Sequence, residues 1–296
     1  MSTVVILNLR SSGTKRNLER IPNVLATQGV DFERLWKADG TDDLLRLVKR
    51  AHKEKVQRLI VGGGDGTMTQ VANVVAHSKT ILGVLPLGTG NSFALTLGIE
   101  PDLEKAVSVI AHGRAELVDL GVVNKRYFVN FATIGFAADV AESTNHDLKK
   151  VVGPLAYLVA AARPLLKHRG FRARIRWKGE KLRIETQQLI VVNGRFFGKR
   201  PIAPNATDTN GRLTLFTAEG ASRAEIVKTY LAFALGLQER LPEGHLLSSK
   251  RFVIRTRPKQ PLNVDGDALG RTPARFSVAR GALRVFVSPD FVDQGK

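Results

Sequence analysis

The segment Gly62-Gly-Gly-Asp-Gly-Thr67 constrains the fold of this chain more than any other feature of the sequence. It follows a predicted strand at Val56–Val61 and precedes a predicted helix at Met68–His77. Glycines allow backbone amides to approach an anion closely, and the N-terminus of the following helix adds partial positive charge. The segment therefore predicts a phosphate-binding loop, although its spacing is neither that of a Walker A loop nor GxGxxG.

Asp65 lies inside this glycine segment, where a carboxylate would repel a phosphate. Its presence makes sense if it holds magnesium, directly or through water, and the metal meets the phosphates. A simple tight turn is the alternative, but four glycines around one acid between a strand and a helix argue against it. We therefore predict that Asp65 contacts Mg²⁺ when a nucleotide is bound.

A second glycine cluster follows the next strand pattern, Ile81–Leu85, and covers Pro86-Leu-Gly-Thr-Gly-Asn-Ser-Phe-Ala94. Its glycines permit close approach, while Thr89 and Asn91 offer hydrogen bonds. Because the carboxyl ends of parallel strands share one edge of a sheet, the two clusters are expected to form the two walls of a nucleotide cleft.

Strand and helix patterns alternate up to Leu117, which predicts an N-terminal α/β domain with a doubly wound parallel sheet. Short strand patterns then dominate and predict a mainly antiparallel β-sandwich domain, interrupted by helices near Leu155–Leu166 and Glu225–Gln238. We place the domains at residues 1–121 and 122–296, with a C-terminal tail that can return to the first domain. The predicted strands of the second part are Leu117–Val123, Arg126–Ala132, Phe171–Trp177, Lys181–Val192, Arg212–Thr217, Arg251–Thr256 and Leu283–Val287.

Composition limits the classes of protein to which the chain can belong. The absence of cysteine excludes disulfides and thiolate metal sites and fits a cytoplasmic protein. The longest apolar run, Val151–Ala162, is too short to cross a bilayer, so no transmembrane helix is expected. A net charge of +18 implies a polyanionic partner.

The basic residues are dense between Arg163 and Arg183, which hold nine lysines and arginines and one acid. Within this stretch, Phe171–Trp177 alternates strictly, so the three arginines at 172, 174 and 176 are expected to share one face of a strand. A solvated sheet face is the simpler interpretation. The more specific interpretation is that this stretch makes a peripheral contact with anionic lipid headgroups.

Several of these motifs together resemble the diacylglycerol-kinase catalytic domain family. The two glycine clusters carry the resemblance most specifically, and Asn8–Gly13 with Lys15 is similar to the opening turn of that family. The later motifs that match are Asp119-Leu-Gly121, Asn193-Gly194, Ile202–Ala206 and Val264-Asp-Gly-Asp267. The family is related to NAD kinases and 6-phosphofructokinases, and its members include bacterial lipid kinases.

The resemblance implies an ATP-dependent lipid kinase that uses Mg²⁺ and transfers the γ-phosphoryl group to an alcohol. Either Asp265 or Asp267 would accept the proton of the hydroxyl group. A second, structural magnesium would map to Thr207, Asn210 and Arg212, the outer two through their backbone carbonyls. By resemblance, the nucleotide-binding residues are Asn8, Lys15, Gly62, Gly63, Gly64, Asp65, Gly66, Thr67, Gln70, Gly88, Thr89, Gly90 and Asn91.

The sequence departs from the family pattern at several positions. Leu9 replaces a proline, Ser92 an aspartate, and Gln70 a glutamate. Asp267 stands in place of a glutamate, and Asn210 replaces the aspartate expected at the second magnesium position, which weakens that prediction.

Two alternative functions remain open. One is a NAD-kinase-like phosphotransferase with a soluble acceptor, which Pro86–Ala94 disfavours. The other is a non-catalytic basic module that docks on membranes, which the acids at 65, 265 and 267 disfavour. Basic stretches without stacked aromatics argue against nucleic-acid binding. The acceptor lipid and the oligomeric state are not specified by the sequence.

Overall fold

The computed structural model describes residues 2–136, 138, 170–193, 196–197, 200–201, 210–218, 244–289 and 291. The helices in these ranges are α1 (Thr14–Asn17), α2 (Arg20–Thr27), α3 (Thr41–Lys53), α4 (Asp65–Val75), α5 (Ser92–Thr96) and α6 (Leu103–His112). The strands up to residue 135 are β1 (Thr3–Asn8), β2 (Arg34–Ala38), β3 (Arg58–Gly63), β4 (Ile81–Pro86), β5 (Arg114–Val123), β6 (Arg126–Phe128) and β7 (Phe131–Gly135).

The remaining described strands belong to the second half of the chain. They are β8 (Phe171–Trp177), β9 (Glu180–Thr186), β10 (Gln188–Val192), β11 (Phe196–Phe197), β12 (Arg200–Pro201), β13 (Leu213–Ala218), β14 (Gly244–Ser249), β15 (Arg251–Arg257), β16 (Pro261–Val264), β17 (Asp267–Arg271) and β18 (Ala274–Val287). The predicted helices near residues 155–166 and 225–238 lie outside the described residues.

The N-terminal unit is an α/β domain with a parallel sheet, as the sequence predicts. Its strands run in the order β2-β1-β3-β4, and every neighbouring pair is parallel. The central strand β1 is a continuous apolar run from Val4 to Leu7 with no exposed surface, which is typical of a strand covered on both faces. The helix α3 buries one face, and its acidic first turn suits the positive helix end.

The first sheet continues into the C-terminal half through the long strand β18. Its end pairs in parallel with β4 at Val285 and Leu82, whereas its beginning pairs with the antiparallel strand β15. The strand β5 pairs with β18 in antiparallel direction, and the pairing covers almost the whole length of β18. Leu283 of β18 packs in the first hydrophobic core and Phe276 in the second, so this strand is shared by both cores.

The C-terminal unit is an antiparallel β-sandwich. Its second sheet has the order β14-β13-β10-β7-β16-β17, and each described pairing in that sheet is antiparallel. The core between the sheets contains Ile134 and Val191 from one sheet and Phe252 and Ile254 from the other. On β8, Phe171, Ala173 and Ile175 are buried while the intervening arginines are exposed, so the predicted alternation is confirmed.

Three predicted strands are wrong in extent. The predicted strand 283–287 is only the end of β18, and the other two are each two strands in the structure. The predicted strand 126–132 breaks at Val129 and Asn130, where the backbone N–H groups turn toward a buried carboxylate. The predicted strand 181–192 breaks at Gln187, because β9 and β10 belong to different sheets.

Other elements differ at their ends or were not predicted. The helix predicted to begin at Met68 begins at Asp65. The helix predicted over 17–28 is α2 at Arg20–Thr27, and Asn17 is the last residue of the separate helix α1. The N-cap position of α3 is Gly40 rather than Thr41. The sequence patterns did not predict the short strands β2, β14, β16 and β17. None of the described helices has the length and apolarity of a membrane span.

Gly121 allows β5 and β6 to pack closely. It pairs with Phe128, and a Cβ atom at this position would lie 2.1 Å from the Phe128 ring, which is fully buried. We expect Gly121→Ala to lower the free energy of unfolding by about 1–3 kcal/mol through overpacking. Urea denaturation of Gly121→Ala, Phe128→Leu and the double variant measures this.

Gly121→Ala should lower the free energy of unfolding less in the Phe128→Leu background than in the wild type, because the smaller leucine side chain leaves room for the added methyl group. An equal cost in both backgrounds would contradict this explanation.

Candidate active site

Three loops at the carboxyl ends of β1, β3 and β4 pack against one another through their backbones. A Cβ atom at Gly88 would lie 2.4 Å from the Gly64 Cα atom, so no side chain fits between the second and third loops. The first loop joins them because the Gly13 backbone nitrogen donates to the Leu87 carbonyl at 2.8 Å. The two glycine clusters therefore meet, as the sequence predicts for the walls of a cleft.

Asp65 is the first residue of α4, and its carboxylate connects three segments. Its Oδ1 accepts hydrogen bonds from the Phe93 backbone nitrogen at 2.9 Å and from Asn130 Nδ2 at 3.0 Å. Its Oδ2 accepts one from the Ser92 backbone nitrogen at 3.1 Å. The acid thus binds the first turn of α5 and reaches residue 130 beyond the β5–β6 hairpin.

The geometry around Asp65 fits the predicted magnesium contact. Its Oδ2 has one described hydrogen bond and can accept another ligand. A Cβ atom at Gly90 would lie 3.0 Å from this oxygen, so the glycine keeps the space beside it open. Carboxylate oxygen is a preferred magnesium ligand, and Asp65 would hold the ion through Oδ2.

Asn91 shapes its own loop. It adopts a left-handed conformation with φ of 55°, and its Oδ1 accepts from the Gly88 backbone nitrogen at 2.9 Å. Its Nδ2 donates to the Pro86 and Gly88 carbonyl groups. These bonds hold the turn that contains Gly88, Thr89 and Gly90.

The other predicted nucleotide-binding residues differ in their surroundings. Asn8 Nδ2 donates to Thr67 Oγ1 at 2.9 Å, which joins the first two loops. Thr89 is exposed, and its hydroxyl lies 3.5 Å from that of Ser12. Lys15 is exposed on α1, and Gln70 is half-buried on α4. Their contact with a nucleotide stays a prediction.

Asp265 approaches these loops from the C-terminal unit. It lies in the turn between β16 and β17 with φ of 46°, and a Cβ atom at Gly66 would lie 3.8 Å from its carbonyl oxygen. Its Oδ1 accepts from the backbone nitrogens of Asn130 and Phe131, at 3.1 and 2.9 Å. Its Oδ2 accepts from the Thr69 hydroxyl at 2.6 Å and from the Val129 nitrogen at 2.8 Å.

Burial raises the pKa of Asp265 to about 6, because the charged form loses its hydration. Hydrogen bonds from Thr69 and from the backbone at Phe131 and Val129 favour the charged form and limit this rise. The negative charge of Asp65 adds to it. A carboxyl group with a pKa near 6 is close to the range in which a general base works best at neutral pH.

Asp267, the other predicted base, has different surroundings. Its side chain is 40% exposed, and its Oδ2 accepts from Arg126 Nη2 at 3.1 Å. The two acids of this turn are therefore distinct: Asp265 faces the glycine loops and Asp267 faces an arginine of β6.

Sequence reasoning missed two residues of this site, Thr69 and Asn130. Both are 1% exposed, and they bring the two aspartates into one network. Asn130 donates from its side chain to Asp65 and from its backbone to Asp265. Thr69 lies four positions after Asp65, about one helical turn away, and this spacing could have indicated a shared helix face.

Asp119, the predicted junction aspartate, is buried and accepts from two backbone nitrogens, those of Gly211 at 2.7 Å and Gly281 at 2.8 Å. Nearby, Asn210 Oδ1 accepts from the Arg212 nitrogen at 2.9 Å. A Cβ atom at Gly211 would lie 3.0 Å from Arg280 Nε, and the described residues contain no group of three His, Cys, Asp or Glu side chains that could hold a metal, so the second magnesium site stays a prediction. Thr207, Gly194 and residues 202–206 lie outside the described residues.

Comparison with known proteins agrees with this arrangement. The family model for the diacylglycerol kinase catalytic domain matches residues 2–123, and the model for the YegS C-terminal NAD kinase beta sandwich-like domain matches residues 130–287. A diacylglycerol kinase from Staphylococcus carnosus is 32% identical over 245 residues, covering 82% of this chain and 80% of that protein. One from Staphylococcus saprophyticus is 28% identical over 289 residues, covering 96% and 95%.

Solved structures agree in fold. The crystal structure of a diacylglycerol kinase from Bacillus anthracis has a TM-score of 0.74 at 20% identity and covers 98% of both chains. Another structure from that organism has a TM-score of 0.82 at 24% identity and covers 98% of this chain and 96% of that chain. On the two family models and the Staphylococcus relatives, the chain belongs to the diacylglycerol kinase family.

Proposed function

We propose that this protein is an ATP-dependent lipid kinase that transfers the γ-phosphoryl group to the hydroxyl of a diacylglycerol-like lipid. Membership of a kinase family makes the chain a phosphotransferase. The proposal of transfer to a hydroxyl group rests on one observation: Asn130 joins Asp65, on the glycine loops, to Asp265, on the facing turn. A nucleotide-side acid and an acceptor-side acid are the parts that phosphoryl transfer to an alcohol requires.

On the nucleotide side, the phosphates would lie along the backbone amides of Gly62–Thr67 and Gly88–Asn91. The close approach of the Gly64 and Gly88 backbones supports this placement, because the loops then present backbone and not side chains at their surface. Mg²⁺ would be held by Asp65 Oδ2 and would neutralise charge on the phosphates when bound.

On the acceptor side, Asp265 is the favoured base and Asp267 the alternative. The Asp265 carboxylate has donors on both oxygens, and three of them are backbone N–H groups fixed in place. The hydroxyl of Thr69 is the donor that can rotate away. The proton of the acceptor alcohol would therefore reach Asp265 at Oδ2.

We also propose that the chain is two domains, at residues 1–121 and 122–296. The two family models meet between residues 123 and 130, which supports this division. Along β5, Leu120 packs in the first core and Val123 in the second, which supports it further. The return of β18 to β4 corresponds to the tail that rejoins the first domain.

A cytoplasmic protein with a lipid substrate needs contact with a membrane, and one face of the first sheet is suited to it. The basic face consists of exposed residues whose strands are paired in register, with Arg255 opposite Arg174 and Arg174 opposite Arg183. One acid, Glu185, lies among them and pairs with Arg172. The basic face is formed by Arg172, Arg174, Arg176, Lys181, Arg183, Arg251, Arg255, Arg257 and Arg275.

Transfer of label tests the function directly. The protein is incubated with γ-labelled ATP, Mg²⁺ and vesicles that contain diacylglycerol, phosphatidylglycerol, a sphingoid base, ceramide or a polyprenol. We expect one lipid class to be phosphorylated. Labelling of NAD but of none of the lipids would favour the NAD-kinase-like alternative, and binding to vesicles without any transfer would favour the non-catalytic module.

Removal of the Asp265 charge tests the base. We expect Asp265→Asn to lower kcat by about 10²–10⁴-fold, because a general base contributes on this order. Since the base must be unprotonated, wild-type kcat should fall below about pH 6, and the variant should lose this dependence. Asp267→Asn is measured beside it, and the exposed Asp31→Asn is the matched control.

The Mg·ATP-induced rise in melting temperature should persist in Asp265→Asn, because the nucleotide loops belong to the other domain. A full kcat in Asp265→Asn, with an unchanged pH profile, would rule out this acid as the base. A large loss in Asp267→Asn alone would assign the role to Asp267.

Asp65→Asn should lower kcat and also reduce the Mg·ATP-induced rise in melting temperature. The amide is a weaker magnesium ligand than the carboxylate, and it cannot accept at both oxygen positions from Ser92, Phe93 and Asn130. Thermal melts at several magnesium concentrations measure the second effect. Wild-type stabilisation by Mg·ATP in this variant would contradict the role of Asp65.

Charge reversal on the basic face tests the membrane contact. We expect Arg174→Glu with Arg255→Glu to weaken binding to anionic vesicles, and added salt to release the wild type, since surface charges are screened over about 8–10 Å at physiological ionic strength. Lys49→Glu with Lys53→Glu on α3 is the control with the same change of charge. Equal binding of both double variants in vesicle sedimentation would show that this face is not the docking surface.

A further inference from the structure

Asn130 contacts both Asp65, the proposed magnesium ligand, and Asp265, the favoured base, at the centre of the domain junction. It lies between β6 and β7 and is 1% exposed. Its backbone nitrogen donates to Asp265 Oδ1 at 3.1 Å, and its Nδ2 donates to Asp65 Oδ1 at 3.0 Å. Asn130 is therefore hydrogen-bonded directly to both carboxylates.

The side-chain oxygen of Asn130 is buried and has no hydrogen-bond partner in the described part of the chain. The orientation of the amide is fixed chemically, because Asp65 can only accept and a flipped amide would place two oxygens against each other. The unpartnered atom is thus an acceptor, and it belongs to the residue that joins the two acids. Buried polar atoms nearly always have a hydrogen-bond partner, so we expect a bound ligand to donate a hydrogen bond to this oxygen.

Asn73 shows how the same side chain is satisfied when its role is only structural. It also joins α4 to the second unit, because its Nδ2 donates to the Tyr127 carbonyl as well as to the Thr69 carbonyl within the helix. Its Oδ1 accepts from the Tyr127 backbone nitrogen at 3.0 Å. In Asn73, both side-chain polar atoms are used, whereas Asn130 keeps its oxygen free.

We propose that Asn130 is a positioning residue for phosphoryl transfer and that its Oδ1 accepts a hydrogen bond from an O–H group bound between Asp65 and Asp265. This inference rests on the proposed lipid kinase function. A phosphate oxygen has no proton to donate and would be repelled by this acceptor. Two O–H groups fit the position: the hydroxyl of the acceptor lipid, or a water molecule bound to the magnesium ion.

Three variants test the proposal. Asn130→Ala removes both polar atoms of the side chain, and Asn130→Asp keeps an acceptor of the same size but loses the donor to Asp65. Asn73→Ala is the matched control, since it breaks two hydrogen bonds between the same two units and one within α4 without touching either acid. The measurements are kcat, the KM for lipid, the melting temperature, and the magnesium concentration that half-saturates the ATP-induced thermal shift.

We expect Asn130→Ala to lower kcat on the order of 10²-fold, as a small misplacement of reacting groups does. Asn73→Ala should lower the melting temperature with kcat within about threefold of the wild type, because it leaves both acids in place. Two further readouts distinguish the source of the O–H group.

If the lipid hydroxyl is the donor, Asn130→Ala should raise the KM for lipid several-fold, and Asn130→Asp should not, because it keeps an acceptor oxygen. If a magnesium-bound water is the donor, the half-saturating magnesium concentration should rise in Asn130→Ala and fall in Asn130→Asp, since a carboxylate attracts the ion more strongly than an amide. The magnesium readout needs no turnover.

The proposal is overturned if Asn130→Ala loses only stability, with kcat, KM and magnesium dependence following those of Asn73→Ala. Should Asn130→Ala fail to fold, Asn130→Asp decides: a raised KM for lipid together with a half-saturating magnesium concentration that does not fall contradicts both sources of the O–H group and overturns the proposal. If the wild type phosphorylates no lipid, the lipid kinase function fails. The Asn130 proposal is then decided by the magnesium readout, and unchanged half-saturation in both variants overturns it.

Discussion

The buried carboxylate of Asp265 is the interaction on which the arrangement of this molecule depends. A charged group in the interior is costly unless donors surround it, and this one receives the hydroxyl of Thr69 and three successive backbone N–H groups after β6. Those N–H groups are available because the strand breaks at Val129 and Asn130. One charge thereby specifies a break in a sheet, a left-handed turn, and the docking of α4 against the second unit.

The glycine loops impose the complementary constraint. The loops after β3 and β4 come together at Gly64 and Gly88 so closely that side chains cannot separate them, which leaves backbone amides to face a ligand. Asp65 then fixes the loop after β4 by accepting from the first turn of α5. The site thus combines a backbone surface suited to phosphates with two acids supplied from opposite sides of a domain junction.

The sequence predicts the parallel sheet, the sandwich and the two glycine clusters, because buried apolar runs and glycine spacing act locally. It does not predict the roles of Thr69 and Asn130, since their importance arises from contacts with Asp265 far along the chain. The sequence also does not distinguish the roles of Asp265 and Asp267, because these two acids of one turn acquire different environments only on folding. The sharing of β18 between two cores is equally non-local.

The central claim is that Asp65 and Asp265 act as one unit across the domain junction. A double-mutant cycle on kcat/KM with Asp65→Asn, Asp265→Asn and the combined variant tests it most directly, because residues that act together show strongly non-additive losses. If the two acids act as one unit, the double variant should lose little more activity than the worse single variant. Losses that multiply, as for two independent sites, would contradict it.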